Sequence, residues 1–405
     1  MDLLPILSTL RRHKTAASLI VLEIALTSAI VCNALHLIGT RLDVLAQDSG
    51  LPESELVVLG VRGTGGPANA DDVSALDLQG LRALPGVKSV ALVNQIIYGT
   101  NSNNSGVSLA PGRRSERVVA AQYTGGEDVA ATMGLRLVEG RDFKPEEFLA
   151  GSVVNQQEEP KVGQVIVNRE LAARLFPGGS ALGQAIYVFG DTPSTIVGVV
   201  QRLTHPYPGK RADDQGYAML FPIRPSYRGG SYLMRVDAAQ RTAVLKAAAA
   251  VIERNDRTRI VFDSKLLTEM RERYYAQDRA MVWLMGGVIV ALMVVTAFGI
   301  VGLASFWVQQ RTRMIGTRRA LGATRGQILR YFQLENFLLS SLGIALGMAG
   351  ALGLSLLLMQ SYELPRLPWP YLPAGALALW ALGQLAVLAP ARRAAAMPPV
   401  AALRA

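Results

Sequence analysis

The side chains able to do chemistry in this chain are few, and their spacing argues against catalysis. The three histidines, His13, His36 and His205, lie far apart, and no HExxH motif places two imidazoles on one helix face for a metal. No G-x-S-x-G elbow presents a serine nucleophile. Segment 178–185, GGSALGQA, has two glycines at phosphate-loop spacing. Gln184 and Ala185 stand where Lys and Ser or Thr are needed to hold phosphate and magnesium, so a turn is expected there. No catalytic residue, metal site or cofactor is predicted in this chain; if ATP drives it, another subunit must bind the nucleotide.

What remains is a set of intramembrane and interfacial features. Glu23 lies inside an apolar run, where charge is costly and often functional. Its sequence context leaves open an ion or substrate role, snorkelling to pair with nearby Arg or Lys, and simple interface placement. Gly343 and Gly347 form a GxxxG with Ala351 one step further on the same face, a spacing that lets helix backbones approach closely, either in a dimer or within one subunit. The densest feature is 309–333, which holds six arginines and no acidic residue.

These residues must be positioned by membrane-spanning helices. Half of the 405 residues are hydrophobic and the mean hydropathy is +0.26. Four apolar runs reach the roughly 20 residues that cross a bilayer, at 15–38, 281–308, 335–359 and 372–389. The net charge of +10 is placed topologically. Residues 1–14, the 309–333 loop and the 390–405 tail carry twelve basic side chains against one acid, Asp2, whereas Arg41 to Arg279 is nearly balanced. By the positive-inside rule both termini and the central loop are cytoplasmic, and the excess charge supplies no evidence for a nucleic-acid groove. The run at 15–38 is too long for a typical signal-peptide core and is expected to be a retained anchor. Residues 1–14 fit either a short amphipathic interfacial helix or an extension of the first span. The short connection 360–371 has three prolines and the interface-type aromatics Tyr362, Trp369 and Tyr371. The lone cysteine, Cys32, lies in the first span and leaves the external segment without any disulfide.

The external segment, 39–280, carries strand–helix–strand signals twice. Strands are expected at 55–61 and 87–97 around a helix at 71–84, and again at 231–236 and 259–262 around a helix at 238–253. Between the halves, short β-like runs at 117–121, 164–167, 185–189 and 195–200 alternate with Gly/Pro turns and one helix, 170–175. This predicts a split α/β subdomain around an inserted one, followed by a charged helical stalk at 264–280 continuing into the second span. In the basic loop, a helix running on from that span is expected to stop near Gly322. Thr324 and Gln327 then form a capping box for the next helix. Such an elbow would project Arg311, Arg313, Arg318 and Arg319 into the cytoplasm, either to dock a partner or only to fix orientation. Glu335, at the start of the third span, fits partner contact and interface placement equally well.

The sequence R-T-R-x-I-G-x-R-R-A-L-G-A from Arg311 to Ala323 resembles the cytoplasmic coupling segment of MacB/FtsX-type ABC transporter permeases. Met314 stands where that family usually has Glu. The downstream Phe332 and Glu335, the tail Pro390–Arg404, the GLRLVEGRDF at 134–143 and the VNRELAARLFPGGSALGQAI run before IVGVV extend the likeness over most of the chain. The resemblance implies a four-span bacterial inner-membrane subunit with a large α/β extracytoplasmic domain. That domain would comprise a Porter-like part (41–104 and 226–263) and an inserted Sabre-like part (105–225). It implies an ATPase-coupling element made by Arg311, Arg313, Ile315, Gly316, Arg318, Arg319, Gly322 and Ala323. It further implies a separate cytosolic ABC ATPase that binds ATP and Mg2+, no ATPase fused to this chain, and a second permease copy or paralogue. A periplasmic adaptor with an outer-membrane channel is a further implied partner. The implied activity is export driven by mechanotransmission, with an FtsX-like transducer of a cell-wall hydrolase and a lipoprotein-release permease as alternatives.

Overall fold

The computed structural model describes residues 14–63, 70–112, 116–209, 216–225, 231–362 and 368–398. The expectations for residues 1–13, for 363–367 of the 360–371 connection and for the end of the tail lie outside them. The chain divides into two compact units, one formed by residues 1–45 with 277–405 and one by residues 46–276.

The first element is helix α1 (Lys14–Leu45). The outer unit follows, beginning with β1 (Leu56–Gly63), α2 (Ala70–Arg82) and β2 (Val87–Val93). The insert then runs through β3 (Asn104–Val107), β4 (Val118–Thr124), α3 (Val129–Met133), β5 (Leu137–Gly140), β6 (Leu149–Ala150) and α4 (Gly151–Val154). It continues with β7 (Gln164–Asn168), α5 (Arg169–Leu175), β8 (Ala185–Tyr187), β9 (Pro193–Val200), β10 (Ala218–Phe221) and β11 (Ile223–Arg224). The second half is β12 (Ser231–Val236), α6 (Arg241–Asn255), β13 (Arg259–Leu266) and α7 (Leu267–Tyr274).

The two strand–helix–strand halves do not form separate parallel pairs. They interdigitate in the order β13-β1-β12-β2, so every hydrogen-bonded neighbour is antiparallel and comes from the other half. Alternate residues Val57, Leu59 and Val61 of β1 join Val90, Leu92 and Met234 under α2 and α6 in one core, the period-2 pattern of a sheet face covered by helices. Below them Asp77 of α2 is fully buried. Its carboxylate accepts from the Tyr232 hydroxyl (2.6 Å), the Asn255 amide (2.9 Å) and both terminal nitrogens of Arg259, which is also buried.

The insert is a mixed sheet, β3-β4-β10-β7-β9-β5, with β8 on β9. Ser108, just past β3, exchanges a backbone pair with Tyr187 of β8, so the sheet curls back toward its own edge. This leaves few free edge groups, which limits unwanted strand pairing. Asn168 caps α5 by accepting from the Leu171 amide (3.1 Å) and donates to the Leu203 and Gly216 carbonyls, tying helix to loops. Segment 178–185 follows a helix and precedes a strand, with Gly178 and Gly183 at φ of +79° and +77°. It is a turn, in the reverse order of a strand–loop–helix phosphate site.

Three further helical segments close the membrane unit after α8 (Ala276–Gln310): α9 (Thr312–Ala320), α10 (Arg325–Tyr362) and α11 (Tyr371–Ala396). Among the described residues four helices, α1, α8, α10 and α11, are long and apolar enough to cross a membrane. The expected stalk at 264–280 is not one helix. Its first three residues end β13, α7 follows, and the chain breaks at Tyr275 before α8. The break occurs where Tyr275 is buried against Tyr98 and Tyr274, with ring centroids 5.7 and 4.9 Å away.

The GxxxG pair packs within the subunit. A Cβ on Gly343 would lie 2.8 Å from Ile24 Cβ and 3.0 Å from the Val21 carbonyl of α1, and one on Gly347 would meet the Ala25 carbonyl and Ser28. Small residues thus let α1 and α10 touch backbone to backbone. Gly343→Val should therefore lower the melting temperature of the membrane unit, costing about 1–3 kcal/mol through overpacking. Gly350→Val, whose Cβ meets nothing within 4 Å, should melt with the parent. Equal melting of both variants, followed by tryptophan fluorescence, which arises entirely from this unit, would count against this packing.

Candidate functional site

The basic segment forms an elbow whose two ends are set by local chemistry. Helix α9 ends in a Schellman motif: the Ala323 amide donates to the Arg318 carbonyl (3.0 Å) and the Gly322 amide to the Arg319 carbonyl (3.2 Å). Gly322 sits at φ +96°, a conformation a side chain rarely tolerates. Two residues on, the Thr324 amide donates to Gln327 Oε1 (2.9 Å), and the Gln327 amide donates to Thr324 Oγ1 (3.3 Å). This reciprocal capping box starts α10. The stop at Gly322 and the restart at Thr324 are where the sequence places them.

The N-terminal side of the elbow differs from expectation. No single helix runs on from the second span, because α8 ends at Gln310 and Arg311 takes a non-helical φ/ψ of −105°/15°. The side chain of Arg311 is turned inward and only 7% exposed. Its Nη1 donates to both carboxylate oxygens of Glu335 (3.0 and 2.7 Å), and Glu335 is 1% exposed. The guanidinium also lies over the Trp307 ring, 5.5 Å from its centroid. Arg311 therefore anchors the elbow to α10 and is not a projecting residue. Glu335 is its intramolecular partner.

The other predicted coupling residues divide between internal and external roles. Ile315 and Gly316 are buried, and Ile315 packs with Val308, Ile328, Tyr331, Phe332 and Ala391 in a small core beneath the elbow. The half-buried Arg318 lies over the Tyr331 ring at 5.0 Å. Arg319 donates to the Ala395 carbonyl (2.8 Å), satisfying the C-terminal turn of α11, where a cation is favoured. These two arginines serve the fold of the elbow as well as its charge. Arg313, Leu321, Gly322, Arg325 and Arg330 face outward, and Ala323 is half-buried against the core. Leu321 is 83% exposed at the tip, a large apolar side chain held beside a rigid glycine turn. No signal in the sequence distinguishes Leu321 from the apolar residues that fold inward.

Glu23 sits against α8, where the missing side chain of Gly299 makes room: a Cβ there would lie 2.6 Å from Glu23 Oε1. One turn on, Thr27 and Thr296 hydrogen-bond across the same helix pair at 2.9 Å, both buried. Glu23 thus belongs to a polar strip between α1 and α8, with Gly299 and Thr296 as neighbours.

In the outer unit, sequence reasoning missed a clamp at its two chain connections. Arg271 of α7 donates to both oxygens of Glu53 (3.0 Å each) and to the Gln47 carbonyl (2.9 Å). The Tyr98 hydroxyl donates to Glu53 as well (2.9 Å), from a residue held at φ +63°. Burial and the adjacent Glu53 carboxylate push the Tyr98 phenol far above its ordinary pKa, so it stays a donor. The segment that follows α1 and the helix that precedes α8 are thereby tied together within one folded unit.

Comparisons with known proteins agree with this architecture. The family model for the MacB-like periplasmic core domain matches residues 29–254, and that for the FtsX-like permease C-terminal region matches 286–399. The Uncharacterized ABC transporter permease YknZ of Bacillus subtilis (strain 168) is 27% identical over 81% of this chain and 78% of its own length. The Macrolide export ATP-binding/permease protein MacB 1/2 of Paracoccus denitrificans (strain Pd 1222) is 27% identical over 98% of this chain and 58% of its own. This chain spans about half the length of the MacB relatives it matches, between 42% and 58% for the first of them. The solved periplasmic region of MacB from Actinobacillus actinomycetemcomitans aligns over 57% of this chain and 97% of its own, at 16% identity and a TM-score of 0.35.

Proposed function

The chain belongs to the MacB/FtsX-type ABC transporter permeases, and from that premise we propose that it is an export permease driven by a separate cytosolic ABC ATPase docking on the 309–333 elbow. The observation that carries this reading is the elbow's construction. Its tip, Leu321–Gly322, is exposed and apolar, while a Schellman turn, a capping box and the buried Arg311–Glu335 pair hold it rigid from behind. A rigid apolar point on a segment that also exposes Arg313, Arg325 and Arg330 suits an acidic-rimmed groove on a partner, and that partner would bind ATP with Mg2+ at its own site. Two copies of the permease, or this chain and a paralogue, would present two such elbows to an ATPase pair. Closure of that pair would tilt the spans and work the extracytoplasmic domain by mechanotransmission. The distribution of basic residues supports an orientation with both termini cytoplasmic, and the family resemblance supports the bacterial inner membrane. Export as the outcome draws on the printed names of the MacB relatives; a periplasmic adaptor and outer-membrane channel would complete such a pathway.

The test is Leu321→Asp. It places a charge at the exposed tip without touching the Arg311, Arg318 or Arg319 contacts. Loss of ATPase co-purification and of permease-stimulated ATP hydrolysis is expected, with membrane insertion and melting unchanged. Full ATPase binding by this variant would reject the docking site. Reversing Arg318 and Arg319 is a poorer test, since both hold the elbow together. Recovery of a cell-wall hydrolase in place of an adaptor would move the reading to a transducer.

A further inference from the structure

The outer unit has a cleft of about 630 Å3 between the end of β2, the edge of the insert sheet and the segment after α4. Its composition is unusual for a chain in which 18% of residues are charged. None of the described residues lining it is ionisable; eight are Asn, Gln, Ser or Thr, and Phe189 with two prolines, a valine and an isoleucine supplies the apolar wall. Volume and concavity are those of a small-ligand site.

The lining is pre-set by bonds to backbone. Asn94 donates to the Gln122 carbonyl (2.9 Å) and accepts from the Thr124 amide (2.8 Å). Gln95 grips the backbone of Asn103 from both sides, accepting from its amide (2.5 Å) and donating to its carbonyl (3.3 Å). Ser105 Oγ donates to Gln122 Oε1 (2.5 Å), and the Gln122 amide nitrogen is a further donor. Phe189 is held edge-on by Phe221, with centroids 4.9 Å apart. Such fixed groups lower the ordering cost of binding.

We propose that this cleft binds a neutral saccharide. A charged ligand would find no counter-charge among the described lining residues. A mostly apolar ligand would strand amide and hydroxyl groups, at about 1–3 kcal/mol for each one left unpaired. An extended peptide adding to the sheet would need a run of free backbone groups. The edge beside the cleft is occupied at both ends, by Gln95 on Asn103 and by the Tyr187 exchange with Ser108. Sugar hydroxyls, each donor and acceptor, match side-chain amides that are also both, and the apolar face of a pyranose suits Phe189.

The proposal stands apart from ATPase docking and is tested with the full chain in nanodiscs, free of maltoside detergent and without ATPase. Saturation-transfer NMR is run with chitotetraose, cellotetraose and a neutral alanine–serine peptide. Transfer to at least one saccharide is expected, with affinity falling about tenfold in Gln122→Leu/Asn155→Ala, the equivalent of losing roughly 1.4 kcal/mol of hydrogen bonding. Asn155→Ala alone, at an exposed position, serves if the double variant does not fold, and should weaken binding in the same direction. No saccharide transfer at millimolar concentration, transfer unchanged by the variants, or variant-sensitive binding of the peptide alone would each overturn the assignment.

Discussion

Glu335→Ala should destabilise the membrane unit by about 3–5 kcal/mol, because it leaves the Arg311 guanidinium buried without its counter-charge. The loss is that large because Arg311 is buried between α8 and α10 by the helix break; its Nη2 already lacks a hydrogen-bond partner among the described residues. Trp307, beneath the guanidinium, reports the change directly: its fluorescence should shift and the melting midpoint fall. If the elbow docks an ATPase as proposed, losing its tether to α10 should lower permease-stimulated ATP hydrolysis even where the ATPase still binds. The paired substitution Arg311→Met/Glu335→Leu removes both charges and should recover most of the stability. A single variant melting within about 0.5 kcal/mol of the parent, the range of ordinary surface changes, would show that the pair does not hold the elbow.

In the outer unit the corresponding change is Asp77→Ala. It removes the bidentate carboxylate from Arg259, whose side chain is 0% exposed and keeps a longer contact to Asp256 (3.7 Å), and removes the acceptor of Tyr232 and Asn255 together. A penalty of about 3–5 kcal/mol is again expected. That is a large part of the roughly 5–15 kcal/mol by which domains are stable, so partial unfolding at 37 °C should follow. All four tryptophans, at 283, 307, 369 and 380, lie outside residues 46–276, so their fluorescence is blind to this unit. Hydrogen exchange is the measurement: amides of β12 and α6 should lose protection while those of α10 keep theirs. Asp77→Leu/Arg259→Met should restore it. Unchanged exchange in Asp77→Ala would mean the network is dispensable to the fold.

Both predictions concern pairs that the sequence keeps hidden. Arg311 and Glu335 are 24 positions apart and Asp77 and Arg259 are 182 apart, at no helical or strand spacing. The basic segment legitimately suggested four outward arginines, yet Arg311 is internal, while Arg318 and Arg319 are partly committed to Tyr331 and Ala395. The clamp of Glu53, Tyr98 and Arg271 was equally invisible, since its members come from three separate segments. By contrast, the turn at Gly322 and the capping box at Thr324 and Gln327 were legible, because their hydrogen bonds close within five residues.

The sequence by itself determined the four spans, because twenty consecutive apolar residues carry their membrane preference without any partner. It also determined the large external α/β region, the strand–helix–strand order of its two outer halves, and the elbow's stop and restart. Only the tertiary structure decided that the two halves of the outer sheet interdigitate, that Gly343 and Gly347 face α1, and which basic side chains of the elbow remain exposed. Those outcomes depend on contacts between distant segments. A buried charge or a missing side chain has meaning only once its partner is in place.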